Sequence, residues 1–270
     1  MKYLDLYKLL NKSNCRECGL LTCMAFAHAV INGEKKIEDC PYIDKETMPE
    51  LGKKIVARDI EHEYDAAVEP LREAMSGLNF SALVDRLGAT LSGDRLCVNC
   101  LGKKFLVDTK GNVESICHIH LWVTVPLLKY IITGGGPGLL GKWISFDELD
   151  RGITMSSYFE RRCVEPLKQM ADSHTDIFFD LLDIFGGRQP AGDFSADRSR
   201  IVHPLPRVPF LFLYWKAEDH FESKLKILFD SSADKYLDFE AVYVLSRGMV
   251  EMFKKIIANH EEVMPNLLAM

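Results

Sequence analysis

The sequence predicts an α+β protein: a small helical module (residues 1–47), a helical connector (48–78) and a larger α+β domain (79–270). Three observations predict it. Four of the eight cysteines fall within the first 40 residues, among two short helical patterns. The next stretch, "MPELGKKIVARDIEHEYDAAVEPLREAMSGL", carries charge and apolar residues at helical spacing throughout. From about Phe80 the texture changes to short β-prone runs bounded by turn residues, followed by further helical patterns.

Leu4, Tyr7 and Leu10 give a first short helix ending near the "NKSN" turn. Thr22 is placed as the N-cap of a second helix, "CMAFAHAVIN", with Gly33 as its stop. Cys40-Pro41 then ends the module, and Pro70 starts or kinks the last part of the connector. "LSGDRLCVNCLGKKFLVDTKGNVESICHIHLWV" supplies strands around a "DTKGN" turn, hence a hairpin or small sheet. "PLLKYIIT" reads as a buried helix and "GGGPGLLGKW" as a loop. "ISFDELDRG", "YFERRCVEPLKQMADS" and "HTDIFFDLLDIFGG" read as helices, the last with a Gly-Gly stop. Phe185–Pro209 reads as a long, turn-rich loop. "RVPFLFLYWKAED" and "SKLKILFDSSADKYL" read as strands, and "DFEAVYVLSRGMVEMFKKIIANHEEV" as a long amphipathic helix. No internal repeat is evident.

An apolar fraction of 47 % and a charged fraction of 27 % match an ordinary folded protein and exclude extensive disorder. A net charge of −6 argues against nucleic-acid binding, which needs a basic stripe to neutralise phosphates. The start, "MKYLDLYKLLNK", has no apolar core of an export signal. The greasiest run, Leu121–Thr133, carries Pro126 and Lys129 and falls short of the roughly 20 residues that span a bilayer. The expectation is a cytoplasmic protein with no membrane span. In that reducing compartment clustered thiols favour metal binding over disulfides.

Cys15, Cys18, Cys23 and Cys40 follow the pattern C-x2-C-x4-C-x16-C. An iron–sulfur cubane needs four convergent thiolates, because each iron takes one external sulfur. A tight loop supplies three and a distant fourth closes the cage. Gly19 lets the backbone turn around inorganic sulfide, and Cys23 begins a helix whose positive end faces the anionic cluster. Pro41 stiffens the exit behind Cys40. Structural zinc also accepts four cysteines, although its knuckles are usually spaced two plus two. Four unliganded thiols are the remaining alternative.

The stretch "KLLNKSNCRECGLLTCMAFAHAVINGEKKIEDCP" resembles the small four-cysteine domain of the corrinoid iron–sulfur protein large subunit and of the B subunit of Rnf-type electron-transport complexes. The likeness covers residues 5–41: the Leu-Leu lead-in, C-x-x-C-G, C-x-x-F-A, Gly33 and Cys40-Pro41. It implies that Cys15, Cys18, Cys23 and Cys40 ligate a [4Fe-4S] cluster and that the protein transfers low-potential electrons in anaerobic metabolism. "NCLGKKFLVDTKGNV", "GKWISFDEL", "FGGRQPAGDFSAD", "HPLPRVPFLFLYWKAEDHFESKLKILFDSSADKYL" and "VYVLSRGM" are similar to the DUF3786 family, a domain of unknown function. That likeness covers most of residues 80–250 and brings no reaction with it.

Within the larger domain, Cys97, Cys100, Cys117 and His120 make C-x2-C-x16-C-x2-H around the expected hairpin, a candidate zinc staple. Against it, a strand turns residues three apart to opposite faces, and buried small thiols are common. His118 reads as a surface residue. "DSHTDI" resembles the start of the D-x-H-x-x-G motif that presents an axial histidine to some corrinoids, with Ile177 where glycine belongs and no companion motif downstream. His174 is otherwise an exposed histidine behind an Asp-Ser helix cap. "GGGPG" lacks the Lys-Ser/Thr of a P-loop and reads as a turn. Asp193, Arg198, Arg200 and His203 in the long loop, with Glu218, Asp219 and His220 beyond it, are candidates to line a ligand site, or belong to a plain surface loop. No Ser-His-Asp order, nucleophile elbow or H-E-x-x-H run is present.

The leading expectation is therefore a [4Fe-4S] electron-transfer protein without independent catalysis, its larger domain docking a redox partner, such as a corrinoid protein, or a cofactor. The alternatives are a corrinoid- or tetrapyrrole-associated enzyme or reactivator in which the cluster reduces a bound macrocycle, and a zinc-stapled interaction protein.

Overall fold

Cys23, Phe26, Ala27 and Val30 recur at three- and four-residue intervals along α2 (Cys23–Ile31), and all four are buried. Against that stripe lie Leu6, on α1 (Tyr3–Leu9), and Leu10 just past its end. Ile37, Cys40 and Ile43 complete this small core. The computed structural model describes residues 3–31, 35–43, 60–117, 119–192, 194–219 and 221–268, with backbone alone at 60–66 and 260–268. The chain divides into two compact units, residues 1–67 and 68–270, and the division falls inside α3 (Ile60–Met75). As expected, Thr22 caps α2: its Oγ1 accepts the Ala25 N–H at 3.0 Å. The expected Gly33 stop lies outside the described residues. A single 3₁₀ turn, Ile37–Asp39, leads to Cys40, tied by the Lys36 N–H donating to Asp39 Oδ2 at 3.0 Å. The α3 helix runs through Pro70.

The larger unit is α+β. After α4 (Phe80–Leu87), four strands form an antiparallel meander in the order β1 (Thr90–Ser92), β2 (Arg95–Cys100), β3 (Lys103–Val107), β4 (Val113–Ser115). Strand alternation decides which side chains enter the core: Leu96, Val98 and Cys100 point inward, while Arg95, Cys97 and Asn99 point away. Leu101 and Gly102 join β2 to β3 with φ of 49° and 72°, the two left-handed residues of a primed hairpin turn. The second sheet has the order β5-β8-β7-β6: β5 (Trp143–Ile144), β6 (Arg198–Leu205), β7 (Val208–Trp215) and β8 (Lys224–Asp230). Residues 208–214 of β7 are buried without a break, as a central strand covered on both faces must be.

Helices cover that sheet. They are α5 (Leu121–Thr133), α6 (Ser156–Phe159), α7 (Glu165–Ser173), α8 (Thr175–Ile184) and α9 (Phe239–Leu268). A π-helical turn, Glu160–Val164, connects α6 to α7. Rings fill the space between the layers: Phe146 stacks on Phe159 at 4.2 Å, Phe210 meets Phe229 edge-on at 4.8 Å, and Phe178 meets Phe253 edge-on at 5.9 Å.

The glycine-rich stretch is a turn held from within. The Leu140 and Gly141 N–H groups donate to the two oxygens of Asp230 at 3.0 and 2.7 Å, and the Gly138 N–H donates to Tyr236 Oη at 2.8 Å. Ser232 donates to Asp230 through both its N–H and its hydroxyl. Burial alone pushes the Asp230 carboxyl up; the Ser232 hydroxyl and the three N–H donors outweigh it and hold the group below the ordinary value. A depressed folded pKa stabilises fully above the unfolded value of about 4 and is lost as pH falls through the folded value. Asp230→Asn is therefore expected to cost about 1–3 kcal/mol at neutral pH. The fall in thermal midpoint on acidification below about pH 4 should be shallower in this variant than in the parent. Thermal melts across a pH series check both.

Four expectations change. The long loop Phe185–Pro209 contains β6, disguised by Pro204, which sits where the β6–β7 register shifts between Val202 and Leu205. "ISFDELDRG" forms two 3₁₀ turns, Phe146–Glu148 and Gly152–Met155, rather than an α-helix. "LWV" opens α5 instead of ending the sheet. Asp172 and Ser173 do not cap α8; they close α7, where Asp172 accepts the Tyr214 hydroxyl at 2.8 Å and pairs with Lys168.

Candidate metal centre

The loop between α1 and α2 turns back on itself through a run of left-handed residues: Lys12, Asn14 and Arg16 at φ of 59°, 50° and 66°, then Gly19 at 79°. Such conformations cost a residue with a side chain about 1–3 kcal/mol each and gather where function demands them. Asn14 locks the loop onto the helix: its Oδ1 accepts the Cys23 N–H at 2.8 Å, and its own N–H donates to Cys23 Sγ at 3.4 Å. On the far side Tyr42 donates to Glu17 Oε1 at 2.6 Å, tying the residue after Pro41 to the one before Cys18. "NKSN" was legible as a turn; nothing in the residue types alone marks Asn14 as the strut.

Within this frame Cys15 is exposed, Cys18 half-buried, and Cys23 and Cys40 buried. Burial pushes the Cys40 thiol up, the Tyr42 N–H pulls it down, and negative charge at Cys18, Cys23 and Cys15 raises it again. Cys15, Cys18 and Cys23 are thus each within electrostatic reach of Cys40. Cys23 heads α2, where the helix dipole favours negative charge. Among the described residues no three His, Cys, Asp or Glu side chains close to the spacing of a single bound metal ion.

The other candidate quartet is divided by the sheet. Cys97 faces a hollow beside Thr90, Lys104 and Glu114, whereas Cys100, Cys117 and His120 line a different cavity of about 400 Å³. The cause is strand alternation: Cys97 and Cys100 lie three apart on β2, hence on opposite faces. The four-ligand zinc staple is not assembled. Burial, and then the charge of Cys117, push the Cys100 thiol up to about 12. His118 lies outside the described residues.

The remaining candidates are structural where they are described. Arg200 holds Asp183 through two bonds of 2.6 and 3.0 Å, Arg198 holds Asp176, and both guanidiniums lie over the Phe179 ring. His203 Nδ1 meets the Pro206 carbonyl at 3.1 Å, and burial lowers its pKa. Glu218 bridges to Phe221 at a hairpin turn, Asp219 lies in that turn, and Asp193 and His220 lie outside the described residues. His174 stands in the break between α7 and α8, its N–H bonded to the Met170 carbonyl. The loop site expected from sequence is therefore a strand whose arginines brace α8.

Residues 79–252, well over half of the chain, match the family model described as "Domain of unknown function (DUF3786)". The chain belongs to the DUF3786 family. In this DUF3786 protein residues 10–42 match a second model, described as "Putative Fe-S cluster", and these residues contain all four cysteines of the first motif. Similar curated proteins include the acetyl-CoA decarbonylase/synthase complex subunit gamma of Methanopyrus kandleri, 50 % identical over 48 residues, 18 % of this chain and 10 % of that protein. The Methanocaldococcus jannaschii subunit of the same name is 42 % identical over 53 residues, 20 % of this chain and 11 % of that protein. The corrinoid/iron-sulfur protein large subunit of Moorella thermoacetica is 48 % identical over 40 residues, 15 % of this chain and 9 % of that protein. The chain thus spans about a tenth of the length of the curated relatives it matches. No solved structure matches the DUF3786 chain. Among the described residues no helix is long and apolar enough to cross a membrane.

Proposed function

We propose that Cys15, Cys18, Cys23 and Cys40 hold a [4Fe-4S] cluster and that the protein is a cytoplasmic single-electron carrier of anaerobic metabolism. The observation that carries this reading is the quartet itself: three thiols within electrostatic reach of Cys40, one of them, Cys23, at a helix N-terminus that favours an anion. Three cysteines bunched as C-x2-C-x4-C, with a distant fourth, suit a cluster better than the two-plus-two knuckles of zinc. A cubane gives each thiolate its own iron corner.

A bound [4Fe-4S] group supplies a one-electron couple. The chain's own residues do the rest. Cys23 and Cys40 present thiols from the buried side and Cys15 from the exposed side, where a partner can approach. Asn14 fixes the Cys23 sulfur, and hydrogen bonds of this kind, with burial, tune the potential. Anaerobic reconstitution followed by iron and sulfide analysis and EPR of the reduced full-length protein tests the proposal. About four irons per chain and a reducible signal are expected; a folded protein that takes up no reducible cluster rules it out.

The relatives' names support a choice of partner. Their printed names place them in an acetyl-CoA decarbonylase/synthase complex and a corrinoid/iron-sulfur protein, which supports a corrinoid protein as donor or acceptor. The second reading, a macrocycle bound by this chain itself, rests on the same names. Anaerobic titration with cobalamin separates the two: an electron carrier leaves the visible spectrum of the corrin unperturbed before reduction.

A further inference from the structure

The cavity that holds Cys100 has a composition the redox reading does not use. Its volume of about 400 Å³ lies within the small-molecule range. It is walled by Phe105 of β3, Trp122 and Val123 of α5, Phe185 behind α8, and Met252 and Ile256 of α9, so four separate elements converge on it. Three of those walls are rings. Trp122, one of them, is near-parallel to His120, with an interplanar angle of 13°. The Cys100 side chain, 1 % exposed, lines the same space and has no hydrogen-bond partner among the described residues.

The polar edge is cationic. Lys103 and Lys255 line the cavity, and its one acidic residue among the described residues, Glu251, is paired with Arg247 and with Lys254. The 13-residue helix α5 begins here with no acidic residue in its first turn. Its first backbone N–H groups, at Leu121 and Trp122, precede the first intrahelical bonds, which Val123 and Thr124 donate to the His120 carbonyl. Apolar rings inside, two lysines and a helix N-terminus at one edge, and an unpartnered thiol within describe a ligand with a flat apolar body and a negative group.

We propose that this cavity binds a small planar organic anion, an aromatic carboxylate or sulfonate. Its ring lies among Phe105, Trp122 and Phe185 and its charge toward Lys103, Lys255 and the start of α5. The site stands independently of the cluster, since every residue in it belongs to the larger unit.

Fluorescence titration of the full-length protein with anilinonaphthalene sulfonate is the test, with naphthoate as competitor and naphthyl methanol as its neutral counterpart. One saturable probe site displaced by naphthoate is expected. Lys103→Glu with Lys255→Glu should weaken naphthoate about tenfold while changing the alcohol less than about twofold. Met252→Trp, which fills the cavity, should abolish binding of both. Naphthoate should also slow alkylation of the half-buried Cys117 by iodoacetamide in the unsubstituted protein, read peptide by peptide, so the result does not depend on any variant folding. The absence of a displaceable site, no protection of Cys117, equal weakening of acid and alcohol, or binding that survives Met252→Trp in a folded protein overturns the proposal.

Discussion

Serine in place of Cys23 is expected to leave full-length protein unable to hold an intact cluster: after anaerobic reconstitution, about three irons or fewer per chain. The reduced-state EPR signal of the parent should disappear. The expectation is severe because Cys23 has three roles. It is one of four sulfur donors, it is buried in the core shared by α1 and α2, and it receives the Asn14 N–H that locks the loop. Serine keeps the last role in part and fails the first, since a hydroxyl is a poor match for iron where a thiolate is wanted. Equivalent changes at Cys15, Cys18 and Cys40 should give the same loss, because a cluster's binding energy is shared across its ligands and with folding of the module. Cys97→Ser and Cys163→Ser should bind iron as the parent does; Cys163 is buried in the π-helical turn, its thiol pushed up to about 12 by burial. Four irons retained in Cys23→Ser would remove the quartet from consideration. Undiminished iron in the quartet variants together with loss in Cys97→Ser would move the centre to the larger unit.

How much of this was legible in residues depends on the range of the interaction that fixes each part. The module was legible because its information is local: Thr22 reaches Ala25, and α2 carries its apolar stripe within nine residues. The separation of Cys97 from Cys100 was also implicit, since strand alternation is a rule of the backbone once β2 is recognised. The strand β6 was hidden because Pro204 and Pro206 mark a loop by local chemistry, while the sheet tolerates them where the register slips and the hairpin turns. Arg198 and Arg200 looked like ligand-binding residues for the same reason. Only the docking of β6 beside α8 reveals Asp176 and Asp183 as their partners, some 20 residues away in sequence. The aromatic cavity was invisible because its walls come from residues as distant as Phe105 and Ile256, and no periodicity connects them.

Gly248→Ala is expected to destabilise the larger unit by about 3 kcal/mol, in spite of alanine's intrinsic advantage of about 1 kcal/mol inside a helix. The reason is a contact between α5 and α9. A Cβ built on Gly248 would stand 2.0 Å from Trp122 Cδ2 and 2.2 Å from Cε3, far inside van der Waals contact with a ring that cannot bend. Moving the indole means moving it from the wall of the cavity, so the variant should bind anilinonaphthalene sulfonate more weakly as well as unfold earlier. Denaturant unfolding followed through the remaining Trp143 and Trp215 fluorescence, in a Trp122→Leu background and in the parent, apportions the effect. Trp122→Leu alone should also destabilise, by leaving a void of about 2–4 kcal/mol. The double variant should lie well short of the sum, because leucine frees the space that alanine needs. Additive losses, or an unfolding midpoint unchanged by Gly248→Ala, would mean that the glycine is not what lets the two helices meet.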